Sequence, residues 1–282
     1  MKPFHTLLKE NKTLVIPGVF NAASALLAKE AGFQALYLSG SGIATGCFGL
    51  PDLGITTLEN VREETRRITN VEACRGMPLL VDADTGFGDI SETLKNLEEA
   101  GAAGIHLEDQ VFPKRCGHRP GKEVVSPEEM IEKIQIAKSK RSNPDFFLVA
   151  RVDSRNVIGF EDALSRAKKY QEAGADAIFA EALETKDEYK RFVDELKIPV
   201  LANMTEFGKT PYLSVYEFET IGVRMVIFPL TAFRRMMKAV QEVYQTLKKE
   251  GSQKSIITQL QSREELYRLL NYYELEKTVD KK

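Results

Sequence analysis

Short apolar segments of strand length alternate along the chain with longer stretches in which apolar residues recur at helical spacing. The longer stretches also carry helix-start signals, in which a hydroxyl residue precedes glutamate, at Thr56-Thr57-Leu58-Glu59 and Ser126-Pro127-Glu128-Glu129. This alternation predicts parallel strands joined by helices. The eight apolar segments are residues 14–16, 35–38, 79–81, 104–107, 146–150, 177–180, 200–202 and 225–228.

A weak internal repeat supports this number of units. Residues 30–37, 99–106 and 172–179 share one order: a helix end, a glycine, a short link and a strand. Eight such units predict an α/β protein with the (β/α)8 TIM barrel fold, which typically takes about 250 residues. The alternative is a doubly wound open sheet. No Gly-x-Gly-x-x-Gly follows the first strand, as a dinucleotide-binding sheet of that kind requires.

The chain is longer than the predicted barrel. We expect the barrel to occupy residues 1–240 and a C-terminal helical extension to occupy residues 241–282. Within the extension, Leu266, Leu269 and Leu270 form an amphipathic stripe that needs an apolar neighbour. Because the eight units are complete before residue 240, we expect this extension to pack on a partner subunit.

Composition narrows the class of protein. The 282 residues are 43% hydrophobic and 28% charged, which is enough for a full core. A net charge of -2 and a pI near 6.1 exclude a general attraction to nucleic acid or anionic membranes. Three cysteines are an odd and sparse set, which indicates a reducing compartment. With no secretory leader and no run of 18 apolar residues, we expect a cytoplasmic protein without membrane or nucleic-acid partners.

Acidic residues follow the third and fourth predicted strands, at the end where TIM barrels carry their catalytic groups. Asp82 and Asp84 are two residues apart and are expected to share one strand face. Two carboxylates beside glycine-rich backbone suit a hard divalent cation, although a helix cap and a structural acid leave the same pattern. Glu108 is expected to reach the cation through water or to hold the loop that follows. His106 is expected to be a core histidine.

The other strand ends add arginines, amides and hydroxyls. Residues 39–42, Ser-Gly-Ser-Gly, follow strand two and are able to offer backbone N–H groups to an anion. So many polar strand ends around one rim indicate an anionic, oxygen-rich ligand held by arginines above a metal. The polar residues after strands five to eight are Arg151, Asp153, Glu181, Asn203, Thr205 and Arg234.

One cysteine lies in a basic segment soon after strand four, Lys114-Arg115-Cys116-Gly117-His118-Arg119. Nearby positive charge favours the thiolate, so this segment predicts a thiol that acts as a general acid or base. The alternative is a half-buried cysteine in a basic loop. The polar strand ends favour the catalytic interpretation.

Together these residues resemble the isocitrate lyase and phosphoenolpyruvate mutase superfamily over nearly the whole chain. Residues 114–118 are similar to the signature of its lyases, whereas its mutases and hydrolases lack the cysteine. Residues 37–40, 80–84, 203–208 and 271–273 are most similar to the members that cleave 2-methylisocitrate. The resemblance implies cleavage of 2-methylisocitrate to pyruvate and succinate, in propionate breakdown by the methylcitrate cycle.

The resemblance also implies roles for individual residues. Asp82 and Asp84 would hold Mg²⁺, which Mn²⁺ can replace, and Asp52 and Glu108 would order its water shell. Cys116 would protonate the succinate carbanion, while Tyr37 is the candidate base for the substrate hydroxyl and Glu181 is the alternate. The implied catalytic residues are Tyr37, Lys114, Cys116, His118 and Arg151. The implied substrate-binding residues are Ser39, Gly40, Ser41, Cys116, Gly117, Arg151, Glu181, Asn203, Thr205, Arg234 and Arg263.

Ser41 departs from the family pattern, because relatives usually have glycine there; its side chain either narrows the pocket or adds a hydrogen bond. Three alternatives stay open: a phosphonate mutase or 2-oxo-acid C–C hydrolase, a lyase of isocitrate or dimethylmalate, and a non-enzymatic tricarboxylate sensor. Cys116 beside His118 argues against the first and the last. The resemblance further implies a homotetramer in which an exchanged C-terminal helix brings Arg263 to a neighbouring active site.

Overall fold

Eight parallel strands form a closed barrel in the computed structural model, which describes residues 2–279. Each strand pairs with the next one in the chain, and the first strand pairs with the last. The predicted barrel is therefore confirmed, and the open sheet is wrong because its edges would not pair. The strands are β1 (Leu14–Val19), β2 (Leu36–Leu38), β3 (Leu79–Asp82), β4 (Gly104–Glu108), β5 (Phe147–Val152), β6 (Ala177–Ala180), β7 (Val200–Asn203) and β8 (Met225–Phe228).

Helices follow the strands and cover the outside of the barrel. They are α1 (Phe4–Glu10), α2 (Ala22–Glu30), α3 (Gly40–Phe48), α4 (Leu58–Thr69), α5 (Ile90–Glu99), α6 (Pro127–Lys140), α7 (Phe160–Ala173), α8 (Lys186–Glu195), α9 (Val215–Ile221), α10 (Thr231–Glu250), α11 (Arg263–Leu269) and α12 (Tyr272–Val279). Short 3-10 turns lie at Glu72–Cys74, Ser154–Asn156 and Lys254–Gln259.

The predicted helix starts are close to the observed ones. Ser126 caps α6 by accepting a hydrogen bond from the Glu129 N–H, and Pro127 occupies the first helical position. At α4, Thr57 is the cap and Asn60 completes the reciprocal capping box. The glycines of the repeat, at 32, 101 and 174, all have positive φ, which explains why glycine recurs there.

The core has two layers, and one of them closes the amino end of the barrel. The inner layer includes α1, whose Phe4 ring lies 5.3 Å from the Phe147 ring at the start of β5. Phe4 and Leu7 are fully buried there among residues that point into the barrel. The outer layer lies between the strands and their helices. The carboxyl ends of the strands are thus the end that is left for polar groups.

The end of the chain leaves the barrel through one long helix. α10 runs without interruption across residue 240, where the sequence places the domain boundary. Beyond it, α11 packs against α2, and Arg268 Nη2 lies 3.7 Å from Glu30 Oε1. Leu266 and Leu270 keep 40% and 42% of their surface exposed, so the amphipathic stripe is only partly covered. Packing on a partner subunit stays a prediction. Across residues 2–279, the helices are too short or too polar to span a bilayer.

Candidate active site

The carboxyl ends of β3, β4 and β5 bring polar and charged side chains together. The strand register pairs Asp82 with His106 and Glu108 with Arg151. Asp82 Oδ1 lies 3.2 Å from His106 Nε2, and Arg151 Nη1 lies 3.0 Å from Glu108 Oε2. All four side chains are buried. Parallel register therefore explains why polar strand ends that are far apart in sequence form one cluster.

Asp82 and Asp84 are neighbours for a different reason from the predicted one. β3 ends at Asp82, and Asp84 has a φ of 46° in the left-handed region, so strand alternation does not align them. Instead, the Asp84 N–H donates to Asp82 Oδ1 at 3.1 Å. A tight turn thus replaces the expected strand face, and both carboxylates stay at the rim.

Lys114 joins two of the acidic residues. Its ammonium contacts Asp52 and lies 2.8 Å from Asp84 Oδ1. Burial raises the pKa of Asp84 to about 7, and the charges of Asp82 and Asp52 add to the rise against the effect of Lys114. Burial alone would lower the pKa of Lys114, but these carboxylates raise it well above its usual value. Lys114 is therefore a buried, charged partner of the acidic cluster, which comprises Asp52, Asp82, Asp84 and Glu108.

The acidic cluster has the character of a magnesium site. Asp84 Oδ1 and both oxygens of Glu108 are buried without a well-aligned hydrogen bond in residues 2–279. The same part of the chain holds no group of three or more His, Cys, Asp or Glu side chains arranged as a metal cage. Mg²⁺ does not need such a cage, because it binds one or two carboxylates and keeps several waters. The residues present fit Mg²⁺, with Lys114 sharing their charge.

Tyr37 and His106 form a buried polar pair beside Asp82. The Tyr37 hydroxyl lies 2.9 Å from His106 Nε2 and 3.3 Å from Asp82 Oδ2. His106 is fully buried, as the sequence predicts, and burial lowers its pKa to about 4, so the ring is neutral. Burial, with the charge of Asp82, raises the pKa of Tyr37 well above its usual value. A neutral phenol is a poor base, so this environment disfavours the predicted base role of Tyr37.

Arg151 is the cationic centre of the site. Its guanidinium donates to Asp153 Oδ1 at 3.0 Å, with Nε 2.9 Å from Asp153 Oδ2, and Nη2 lies 3.6 Å from Glu181 Oε1. The Phe179 ring lies beneath it at 5.2 Å. Burial alone would lower the pKa of Arg151, but the charges of Asp153 and Glu108 outweigh this effect and raise it well above its usual value. The guanidinium therefore stays charged. An anionic substrate that reaches it finds an oriented guanidinium.

The loop that carries Cys116 lies against this centre. It comprises residues 109–126, between β4 and α6, and is called the cysteine loop below. A Cβ added at Gly117 would come within 2.0 Å of Glu181 Oε1 and 2.5 Å of Arg151 Nη2, so a larger residue there would displace the ends of these two side chains. Cys116 is the preceding residue and keeps exposed surface. The fold therefore brings the backbone next to Cys116 against the Arg151 and Glu181 side chains.

The environment of Cys116 favours the protonated thiol over the predicted thiolate. Protein packed around the sulfur raises the pKa of Cys116 above its usual value, and a backbone hydrogen bond with His118 only partly offsets this effect. The cations of the segment face elsewhere, because Lys114 binds the acidic residues and Arg119 is exposed. A protonated thiol is the state that a general acid needs before it donates.

His118 connects the cysteine loop with the loop after β7. Its Nδ1 accepts a hydrogen bond from the Lys209 N–H at 2.9 Å, and its Nε2 lies 3.3 Å from Glu181 Oε1. Burial lowers the pKa of His118, and the charge of Glu181 opposes this shift. A neutral ring with Nδ1 as acceptor carries its proton on Nε2, toward Glu181.

The segment predicted as an anion loop is the first turn of a helix. Ser39 caps α3 and its Oγ accepts from the Gly42 N–H, while the Gly40 N–H donates to Asp82 Oδ2 at 3.1 Å. Two of the backbone donors that the sequence assigns to an anion therefore have acceptors within the chain. Ser41 lies half-buried in the same turn.

Among the remaining predicted substrate contacts, only Asn203 is linked directly to the cluster by the observed contacts of residues 2–279. Asn203 donates to Glu181 Oε2 at 3.2 Å, and Thr205 lies half-buried just beyond it. Arg234 is exposed over the Phe207 ring. Arg263 is exposed at the start of α11, the helix that packs against α2.

Two buried residues of the cysteine loop were not predicted. Lys122 donates to the Gly117 carbonyl at 2.5 Å and to Asp153 Oδ1 at 3.0 Å. Gln110 donates to Asp153 Oδ1 at 3.1 Å and exchanges hydrogen bonds with the Arg115 backbone. Gln110 has a signal, since it follows the acidic end of β4. Lys122 lies between glycine and glutamate, where a lysine is typical of an exposed turn.

A cavity of about 950 Å³ lies beside the cluster. Asp84, Thr85 and Gln110 line it together with residues of α4 and α6. None of the residues predicted to bind substrate lines it. We therefore assign the candidate site to the Arg151 cluster.

Known proteins are similar in sequence to nearly the whole of this chain. A sequence model of the family described as phosphoenolpyruvate phosphomutase matches residues 4–248. The 2-methylisocitrate lyase of Escherichia coli (strain K12) is 48% identical over 99% of this chain and 95% of that protein. The 2-methylisocitrate lyase of Salmonella typhimurium is 49% identical over 98% of this chain and 94% of that protein.

Solved structures have the same architecture. Oxaloacetate acetylhydrolase with 3,3-difluorooxalacetate has a TM-score of 0.90 at 31% identity, covering 99% of this chain and 98% of that one. 2,3-Dimethylmalate lyase has a TM-score of 0.89 at 33% identity, covering 96% and 91%. Phosphonopyruvate hydrolase with oxalate and Mg²⁺ has a TM-score of 0.83 at 30% identity, covering 96% and 94%.

Proposed function

The chain belongs to the phosphoenolpyruvate phosphomutase family, and from this membership we propose that it cleaves 2-methylisocitrate to pyruvate and succinate. Its curated relatives at 48% and 49% identity over nearly the whole chain carry that activity in their names, which supports a carbon–carbon lyase. Propionate breakdown through the methylcitrate cycle is the matching pathway. The cytoplasm is the matching compartment.

One observation carries the proposal: Cys116 immediately precedes Gly117, which packs against a charged arginine that is itself held by three carboxylates. A Cβ at position 117 would lie 2.0 Å from Glu181 Oε1 and 2.5 Å from Arg151 Nη2, so Gly117 packs directly against both side chains. The raised pKa of Cys116 keeps its proton on sulfur at neutral pH. A proton donor beside a cation is what a reaction needs when it releases a carboxylate-stabilised carbanion.

The proposed reaction breaks one C–C bond and needs two proton transfers, one from the substrate hydroxyl and one to the succinate carbon. A base removes the proton of the tertiary hydroxyl, the oxygen forms the carbonyl of pyruvate, and the adjacent C–C bond breaks. The electron pair of that bond passes to the succinate carbon, which takes the proton of Cys116. Arg151 compensates the negative charge on the reacting oxygen and carboxylate. We prefer Glu181 as this base over Tyr37, because burial raises the pKa of Tyr37 and so disfavours its phenolate.

Magnesium completes the proposed site. Asp82 and Asp84 would hold the ion, and Asp52 and Glu108 would order its waters, with Mn²⁺ able to replace it. When bound, the ion supplies Lewis-acid stabilisation of developing negative charge. Lys114 then balances the remaining negative charge through its contacts with Asp52 and Asp84.

We also propose that the active unit is a homotetramer in which the C-terminal extension is exchanged. The exposed leucines of α11 support this, because an amphipathic stripe that is only partly covered favours further burial against another chain. Arg263 would then reach the site of a neighbouring subunit. Arg234, Thr205 and Ser39 to Ser41 stay proposed substrate contacts.

Formation of the 2-oxo acid product from a panel of substrates tests this function: pyruvate from 2-methylisocitrate and 2,3-dimethylmalate, and glyoxylate from isocitrate, each with Mg²⁺ and with EDTA. Phosphonopyruvate is the control, because a hydrolase releases pyruvate and phosphate from it and a mutase converts it to phosphoenolpyruvate. We expect 2-methylisocitrate to have the highest kcat/KM and EDTA to abolish turnover. Preference for dimethylmalate or isocitrate would move the enzyme to another lyase of the family. Turnover of phosphonopyruvate alone would overturn the lyase proposal.

A further inference from the structure

The cysteine loop is fixed at two points, one on each side of Cys116. Before it, Gln110 accepts from the Arg115 N–H and donates to the Arg115 carbonyl, both at 2.9 Å. After it, Lys122 Nζ donates to the Gly117 carbonyl at 2.5 Å. The backbone on both sides of the thiol is thus held by buried side chains.

Both anchors meet at one atom. Gln110 Nε2 lies 3.1 Å and Lys122 Nζ 3.0 Å from Asp153 Oδ1, and Arg151 Nη2 donates to the same oxygen at 3.0 Å. Asp153 is fully buried, as is nearly all of the Lys122 side chain. Burial alone would raise the pKa of Asp153, but Arg151 and Lys122 lower it to about 2, so the hub is a carboxylate.

A buried ammonium is unusual and needs its donors satisfied. Lys122 has three N–H donors and finds the Gly117 carbonyl, the Asp153 carbonyl at 3.4 Å and the Asp153 carboxylate. Replacing a buried ion pair with apolar groups often costs no stability, so the pair is poorly explained as a stabilising device alone. Its geometry instead ties the loop to the carboxylate that orients Arg151.

We propose that Lys122 and Gln110 are positioning residues that set the Cys116 thiol against Arg151 through their shared acceptor, Asp153. This inference rests on the proposed acid role of Cys116. Neither residue touches the reacting atoms. An error of about 1 Å in a catalytic group can cost about 100-fold in rate, so loss of one anchor is expected to act on kcat rather than on binding.

The experiment compares Lys122→Met with Lys122→Arg and with the control Lys168→Met. Lys168 on α7 pairs with Glu195 on α8 at 2.5 Å, and neither residue lines the cavity beside the cluster. We expect Lys122→Met to lower kcat by about 100-fold while KM changes by less than about threefold. Lys122→Arg keeps a charged donor and is expected to restore kcat to within about tenfold of wild type. Lys168→Met is expected to match wild type.

A second readout needs no substrate. Iodoacetamide labelling of Cys116, followed by mass spectrometry of its peptide, reports how tightly the loop holds the thiol. In Lys122→Met we expect faster labelling at pH 7 and a midpoint of the pH profile that falls toward the free-cysteine value of about 8.5. Labelling therefore separates this inference from the proposed function. Altered labelling in an enzyme that cleaves none of the panel would support positioning and overturn the lyase activity.

Two outcomes would overturn the positioning role. The first is a Lys122→Met protein that is less stable to heat but keeps wild-type kcat and labelling, which is a purely structural effect. The second is a Gln110→Met protein with unchanged kcat and unchanged labelling. This variant removes the other anchor at similar volume, and it decides the question if Lys122→Met does not fold.

Discussion

The two ends of the barrel bury different kinds of side chain, apolar at the amino end and charged at the carboxyl end. The amino end is closed by α1, whose Phe4 and Leu7 are buried against Phe147 and other apolar side chains of the barrel interior. The carboxyl end holds buried charges, with Arg151 against Glu108 and Lys114 against Asp84. Apolar burial stabilises the fold, whereas burying charge costs free energy that pairing only partly returns.

This difference separates stability from function. Changes at the amino end are expected to alter unfolding and leave turnover intact, because that end holds no polar group of the site. Changes at the carboxyl end are expected to alter turnover with little loss of stability. Cavity formation at a buried aromatic is costly, while removing one charge from a crowded acidic cluster relieves repulsion.

The largest effect on turnover is expected from Cys116→Ser. A serine hydroxyl keeps the shape of the site but is far less acidic than a thiol, so the carbanion loses its donor. General acid catalysis contributes about 10²–10⁴-fold, and we expect a loss of about 1000-fold in kcat. Steady-state kinetics and calorimetric titration with product and Mg²⁺ check this. Near wild-type turnover would remove Cys116 from the mechanism, and Cys47→Ser is the control.

A smaller loss is expected from Asp84→Asn. Asparagine tolerates the left-handed backbone of this position better than alanine, so the turn survives while the charge is lost. We expect about a 100-fold loss of kcat and weaker Mg²⁺ binding, since the metal contributes several kcal/mol. Thermal unfolding is expected to be unchanged or slightly higher. Asp82→Asn should also lose metal binding. Full activity of EDTA-treated wild type would contradict the metal assignment.

Removal of the extension before Ser262 is expected to reduce both assembly and turnover. The truncation deletes Arg263 and the exposed stripe of α11 but leaves the barrel and α10 intact. If an exchanged arginine binds one substrate carboxylate, kcat/KM should fall by about tenfold, the worth of one charge-assisted hydrogen bond. Light scattering gives the oligomer size, and Arg263→Gln in the full chain is the control. Normal assembly and activity of the truncated chain would refute exchange.

The smallest change in turnover is expected at the amino end. Phe4→Ala removes a fully buried ring from the inner core and should lower the free energy of unfolding by about 3–5 kcal/mol. Below the unfolding transition, kcat should stay within about twofold of wild type, because Phe4 is remote from the chemistry. Denaturant unfolding and kinetics on one preparation test this. A large drop in kcat of the folded variant would show that the two ends are coupled.

Several features of the site could be predicted because they depend on local pattern. The polar residues Asp82, Glu108 and Arg151 follow apolar strands, and any closed parallel barrel gathers strand ends at one rim. The core position of His106 was also predictable, since it lies inside an apolar run. The environment of Cys116 favours a thiol instead of the predicted thiolate because sequence neighbours are not always spatial neighbours. Lys114 lies two residues from Cys116 but faces Asp52 and Asp84.

The sequence by itself determined the eight units, their order and the rim that carries the chemistry, because hydrophobic periodicity and capping residues act over a few positions. Tertiary structure alone decided the protonation of Cys116 and the contacts of Lys122. Both depend on atoms that folding brings together from distant strands, as Asp153 does for Lys122 at 3.0 Å. Burial and pairing, which set pKa values, do not exist in the linear chain.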